Sequence, residues 1–192
     1  MAAMTGFALP ILPVLLASAL IAASCSSTEA APHAGVTGAA PEAATVYLVR
    51  HAEKQGGDDP ALTEAGVVRA EALADRLDNA GIEAVWSTDY HRTMQTAEPL
   101  ADRLDLDVQV YDPSDLAGFA DQLEAEGETA LVVGHSNTTP QLAGLLRGDP
   151  GPDIVEASEY DRLYVINGLG TGRPRSEIQR YGVASSTDLS AN

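Results

Sequence analysis

The sequence predicts an α/β fold, a three-layer α/β/α sandwich with a mostly parallel central sheet. Three observations lead there. From Thr45 onward, short β-rich runs alternate with stretches whose apolar residues recur at helical spacing. Such alternation is the signature of parallel strands joined by crossover helices on both faces. The polar residues best suited to chemistry stand where strands end, and in parallel sheets ligands sit at the carboxyl ends of strands. Finally, a chain of 192 residues holds one domain with a sizeable core more readily than two.

The elements follow in order. "TVYLVR" (45–50) is the first strand. "LTEAGVVRAEALADRLDNAG" (62–81) is a helix with apolar positions at Val67, Val68, Ala72, Leu73 and Leu77, capped at its start by Thr63 and ended by Gly81. "EAVWSTD" (83–89) is the second strand, and "YHRTMQTAEPLADRLD" the second helix. "DVQVY" (107–111) is the third strand, followed by a helix over 114–127 capped by Ser114. "TALVVG" (129–134) is the fourth strand. It leads into a helix over 138–148, where Pro140 suits the first turn. "DRLYVING" and "RSEIQRYG" form a closing strand pair, and no internal repeat is visible.

The region before Thr45 is different material. "FALPILPVLLASALIAA" (7–23) is almost wholly apolar, and Pro-interrupted enough to suit an export signal better than a spanning helix. The only cysteine, Cys25, follows "IAAS" and resembles the lipidated residue of a bacterial lipoprotein. Residues 26–44 are rich in Ala, Gly, Pro, Ser and Thr without periodicity, a flexible tether. The expected organisation is a signal peptide over 1–24, lipidated Cys25 and tether over 25–44, a domain over 45–182 and a disordered tail over 183–192. The protein is then exported, periplasmic or in the cell envelope, and held to the membrane through Cys25. A single cysteine permits no intrachain disulfide, so the fold must rest on packing.

The net charge of −17 excludes nucleic-acid binding through a general basic field. Only one cation is a lysine, Lys54; the other ten are arginines. An acidic, lysine-poor composition fits either a high-salt habitat or an ordinary solvated acidic face. Against such a background an arginine in a pocket stands out.

"GHSNT" (134–138) is close to the G-x-S-x-G elbow of serine hydrolases. That order of residues requires a histidine after the serine, yet the four histidines are at 33, 51, 91 and 135. Ser136 therefore has no base, and the serine-hydrolase reading fails. A catalytic metal is also disfavoured: no spacing places two histidines on one helical turn, and Arg50 and Arg92 would repel a cation. What remains is two histidines, His51 and His135, with two arginines, Arg50 and Arg92. That set suits a phosphoryl dianion. Arginine's planar fork donates paired hydrogen bonds to phosphate oxygens, and a neutral imidazole is a competent nucleophile toward phosphorus.

"LVRHAEK", "LTEAGVVRAEALADRL", "VWSTDYHRTMQTAEPLA" and "LVVGHSNTT", in that order, resemble the histidine phosphatase superfamily, also called phosphoglycerate mutase-like. Ala52 stands where that family usually has glycine. The resemblance implies that His51 is the nucleophile that becomes phosphohistidine, that Arg50 and Arg92 bind phosphate, and that His135 contacts the phosphoryl group. Ser136 would assist binding through its backbone N–H or locally. The leaving group's acid is left open: Asp115 is favoured, with Asp112, Glu53 or water as alternatives. His91 is expected to point away, and Asn137 to set the turn. The implied activity is metal-independent and cofactor-free hydrolysis of a phosphorylated small molecule or a phosphohistidine protein. A catalytically inactive phosphate-binding module and a mutase-type phosphotransferase are the alternatives. The lack of long insertions that would enclose the site counts against the mutase.

Overall fold

Strand β1 (Thr45–Arg50) alternates partly and fully buried residues before ending in three buried ones, as an interior strand should. The computed structural model describes residues 43–185. The signal segment, Cys25, nearly all of the tether and residues 186–192 lie outside the described residues. After β1 come α1 (Glu64–Leu77), β2 (Ala84–Ser87), α2 (His91–Leu104), β3 (Val108–Val110), α3 (Leu116–Glu126), β4 (Ala130–Gly134), α4 (Thr138–Leu145), β5 (Arg162–Asn167) and β6 (Arg175–Arg180). Among the described residues no helix is long and apolar enough to cross a membrane.

The sheet order is β3-β2-β4-β1-β5-β6. Strands β1 to β4 run parallel, and β5 and β6 close the sheet antiparallel. One apolar cluster joins Val49, Val85, Leu131, Val133 and Leu163 to Leu73 and Leu77 of α1 and Leu100 of α2. The other joins Leu48, Trp86, Val132 and Ile166 to Phe119 and Leu123 of α3 and Leu142 of α4. Successive strand residues point to opposite faces, so β1, β2, β4 and β5 each feed both clusters, and the result is the three-layer sandwich.

Two details depart from the sequence expectation. On α1 the buried stripe is Gly66, Arg69, Ala70, Leu73, Ala74 and Leu77, an i, i+3, i+4, i+7 series that leaves Val67 and Val68 51% and 57% exposed. Helix α3 is capped by Asp115, not Ser114: the Asp115 carboxylate accepts from Gly118 N at 3.0 Å. Ser114 instead donates its N–H and its hydroxyl to Asp112 Oδ1, at 2.8 and 2.7 Å, forming a turn one residue earlier. Thr63 caps α1 as expected, accepting from Gly66 N.

The domain also reaches past residue 182. Ser185 Oγ accepts from Tyr160 N and Asp161 N, and Ser185 N donates to the Asp161 carboxylate. Residues 183–185 therefore belong with the folded unit rather than with the tail.

Candidate active site

The topology brings three strand ends to one rim. β4 lies between β1 and β2, with Arg50 paired to Gly134 and Ser87 to Val133. His51 N donates to Gly134 O at 2.9 Å, so the chain is held to β4 for one residue beyond β1. The next residues outward, His51, Thr88 and His135, therefore emerge side by side. Gly134 is glycine for packing reasons. A Cβ there would come within 2.8 Å of the Tyr111 hydroxyl and 2.9 Å of Thr138 Oγ1. The turn is closed by Thr138 Oγ1, which accepts from His135 N at 2.9 Å.

His51 is only 3% exposed. Its Nδ1 lies 2.8 Å from the Ala52 carbonyl oxygen. A carbonyl can only accept, so Nδ1 carries the proton, and in the neutral ring Nε2 keeps its lone pair. Burial pushes the His51 pKa down to about 3, with the charges of Arg50, His135 and Arg92 adding to it against the opposing effect of the Ala52 bond. The imidazole is thus neutral, with one nitrogen available.

His135 packs edge-on to His51, ring centroids 5.7 Å apart, and edge-on to Tyr90 at 5.2 Å. Burial, then Arg92 and Arg50, lower its pKa to about 4. Its Nε2 is 3.0 Å from Thr88 Oγ1. Thr88 Oγ1 in turn lies 3.0 Å from Thr93 Oγ1, which is 2.8 and 2.9 Å from the carbonyl oxygens of Thr88 and Tyr90. Thr93 must give its single proton to a carbonyl, so Thr88 donates to Thr93. His135 Nε2–H then donates to Thr88. The two threonines place the His135 proton on Nε2.

Arg50 is 2% exposed, donates from Nη1 to the Glu159 carbonyl at 3.0 Å, and has its guanidinium 4.2 Å from the centre of the Tyr160 ring. Arg92 lies over the Tyr90 ring at 4.4 Å, and its Nη1 is 3.5 Å from Asp59. The Nε groups of both arginines are buried without a hydrogen-bond partner among the described residues. Buried donors of this kind call for an acceptor. Two guanidinium groups and two neutral imidazoles have the donors and charge that suit a tetrahedral dianion.

The remaining sequence candidates are placed as follows. Asp115, favoured as the acid, is exposed and occupied as the α3 cap, which leaves it a structural role. The two Ser114 bonds hold the Asp112 carboxyl below its usual value, and a carboxyl so held is a poor proton donor. Glu53 is bound by Arg69, whose Nε and Nη2 reach its carboxylate at 2.7 to 3.0 Å. None of the three carboxylates is an unengaged acid, so the favoured assignment is corrected to a cap, a turn and an ion pair. Ser136 is half-buried in the turn before α4. The His91 side chain is 74% exposed, 3.8 Å from Asp59, away from the histidine pair.

Sequence reasoning missed Tyr160, Tyr90, Thr88 and Arg69. Tyr160 comes from a loop far along the chain. That loop is fixed by the buried Glu159 carboxylate, which pairs with Arg162 at 2.7 Å and Arg180 at 2.8 Å. Nothing in its local pattern marks it. Thr88, at the end of β2, did carry a signal, because strand ends on this rim are where function concentrates.

The family model for the histidine phosphatase superfamily (branch 1) matches residues 46–113, a span that contains Arg50, His51 and Arg92. Over that span the chain is similar to the histidine phosphatase superfamily. Among curated relatives, the protein named probable phosphoglycerate mutase GpmB of Yersinia pestis (strain Pestoides F) is 43% identical over 76 residues, 35% of this chain and 35% of that protein. The chain thus matches about a third of the length of such relatives. Among solved structures, the protein histidine phosphatase SixA complexed with tungstate has a TM-score of 0.55 at 20% identity. That match covers 73% of this chain and 96% of that one. The mycobacterial glucosyl-3-phosphoglycerate phosphatase with inorganic phosphate has a TM-score of 0.55 at 18% identity, covering 74% and 98%. These two likenesses are of fold. His135 and Tyr160 lie beyond the span of the histidine phosphatase family model, and it is the sheet topology that joins them to His51.

Proposed function

We propose that this chain is a phosphatase that hydrolyses a phosphomonoester or phosphohistidine through a phosphohistidine intermediate on His51. The observation that carries the reading is the His51 tautomer. The Ala52 carbonyl takes the Nδ1 proton, leaving the Nε2 lone pair among Arg50, Arg92 and His135. In the first step Nε2 attacks phosphorus in line, the phosphorus–leaving-group bond breaks, and the leaving group departs with the electron pair. The Arg50 and Arg92 charges stabilise the equatorial oxygens, while Thr88 holds the neutral His135 ring edge-on to His51 beside them. In the second step water attacks the phosphohistidine, the P–N pair returns to Nε2, and phosphate leaves with the oxygen of water.

The Asp115, Asp112 and Glu53 carboxylates are all engaged elsewhere, so the leaving group takes its proton from water or carries it already. Phosphohistidine and acidic phenols suit that requirement better than simple alcohols. The same observation is what favours the second reading, a phosphate-binding module without turnover.

The test is incubation with labelled acetyl phosphate and 4-nitrophenyl phosphate, followed by a short acid-free quench. An acid-labile, base-stable phosphoryl label on wild type, absent from His51→Ala together with turnover, is the expected result. Turnover that survives His51→Ala would overturn the mechanism. Phosphate binding without turnover on either compound or on phosphohistidine would establish the module. Turnover is expected to persist in excess chelator, since guanidinium groups supply the positive charge. We also propose that the chain is exported and anchored at Cys25. Cys25→Ser should release it from the membrane fraction, and unchanged partitioning would refute lipidation.

A further inference from the structure

A second feature adjoins the rim. A groove of about 840 Å³ runs beside the first half of α1, lined by Ala65, Val68, Ala72, Ala157, Val183 and Ala184, with Glu53, Arg69 and Tyr160 at its border. It adjoins the phosphoryl site at Tyr160, which lines the groove and also touches Arg50. Glu53 stands two residues after His51. Tyr160 has its ring stacked on the Arg50 guanidinium, with its centre 6.2 Å from that of the His51 ring.

We infer that this groove receives the organic part of the substrate, and that this part is apolar and carries no negative charge. The inference rests on the reading of Arg50, His51 and Arg92 as the phosphoryl site. Three observations support it. Val68 and Val183 are 57% and 72% exposed, so the fold itself does not use them. Exposed apolar residues gathered at one groove mark a binding surface more than scattered ones do. The charges at the border leave no place for an anion: Glu53 and Arg69 neutralise each other at 2.7 Å, and the remaining charged residue lining the groove is Glu64. The cleft beside Tyr90 has Val110, Tyr111 and Pro113 in its lining but also Asp89 and Asp112, and it offers an anionic group no cation. A phosphorylated acid such as phosphoglycerate would bring its carboxylate to a surface without a partnering cation, on a chain of net charge −17. A phosphorylated phenol or a comparable apolar phosphate can instead lay its ring against Tyr160 and its substituent along Val68.

The experiment separates binding from turnover. Inert 4-alkylbenzylphosphonates, from methyl to butyl, are titrated into the protein by calorimetry. In parallel, the matching 4-alkylphenyl phosphates, whose leaving groups are nearly equally basic, are assayed as substrates. Affinity and kcat/KM should each rise by up to about fourfold per added methylene, the value of burying one CH₂. The inert 4-carboxybenzylphosphonate should bind at least about tenfold more weakly than the butyl compound, as one missing charge partner implies. Val68→Asp and Val183→Asp, both at exposed positions, should flatten the phosphonate series, and Leu145→Asp on α4, outside the groove, should keep its slope. A flat phosphonate series in wild type, or a slope that survives both groove variants, overturns the inference while leaving the phosphatase reading intact. A slope in binding with no turnover, or turnover that survives His51→Ala, overturns the mechanism and leaves the groove standing.

Discussion

The buried, neutral state of His51 should be readable as a pH-dependent stability. In the folded protein its pKa is pushed down to about 3, against an ordinary value of 6.5 in the unfolded chain. The unfolded state therefore takes up the proton first as pH falls. The stability that His51 contributes is fully present above pH 6.5 and is lost as pH falls from there toward 3. Between pH 7.5 and 5 the loss is about 2 kcal/mol, from about 1.36 kcal/mol per unit of pH once the unfolded histidine is protonated. The figure hardly depends on the folded value, provided that value lies below pH 5. His51→Gln removes the titrating group and nothing else that ionises, while His135 remains in both proteins. Urea denaturation of both in phosphate-free buffer at pH 7.5 and pH 5 isolates the term. Wild type should lose about 2 kcal/mol more than His51→Gln, about 1 M in midpoint. Equal losses, within about 0.5 kcal/mol, would mean that His51 is not held neutral, and the argument for its free lone pair would fail.

The hydroxyl pair behind His135 makes a separate prediction. Thr88→Val removes the acceptor for His135 Nε2–H, and kcat/KM should fall about tenfold, the cost of one lost hydrogen bond to a group at the reacting centre. Thr88→Ser should restore it, and equal activity in the Val and Ser variants would remove Thr88 from the site. The ion pair beside the nucleophile predicts a structural cost. Glu53→Ala leaves the buried Arg69 charge with the Tyr181 carbonyl as its remaining partner, and should lose about 3 kcal/mol in urea denaturation. A Glu53→Gln variant of unchanged stability but more than about 100-fold lower turnover would instead restore Glu53 as the acid.

Elements with a strong local signal were legible in the sequence. Thr63 is a hydroxyl three residues before the amide it caps, and β1 is a β-rich run with turn-forming residues after it; both appear where expected. The phase of α1 was not legible, because Val67 and Val68 are as apolar as Leu73. Only the direction in which the sheet lies selects the stripe that includes Arg69 and excludes the two valines. The same limit moved the α3 cap by one residue, since Ser114 and Asp115 are both good caps and the choice depended on which oxygen Asp112 left available.

By itself the sequence determined the inventory: Arg50, His51 and His135 at strand ends, Arg92 shortly after the second strand, and no histidine after Ser136. Short-range chemistry suffices for these, because strand ends and residue order are written locally. The tertiary structure decided the rest. It placed β4 between β1 and β2, so that His51, Thr88 and His135 share a rim. It set the two imidazole protons through Ala52 and Thr88, and brought Tyr160 under Arg50 from the far end of the chain. It also committed Asp112, Asp115 and Glu53 to a turn, a cap and an ion pair. Such assignments depend on which groups meet across the sheet, and sequence spacing carries no information about groups that meet only after folding.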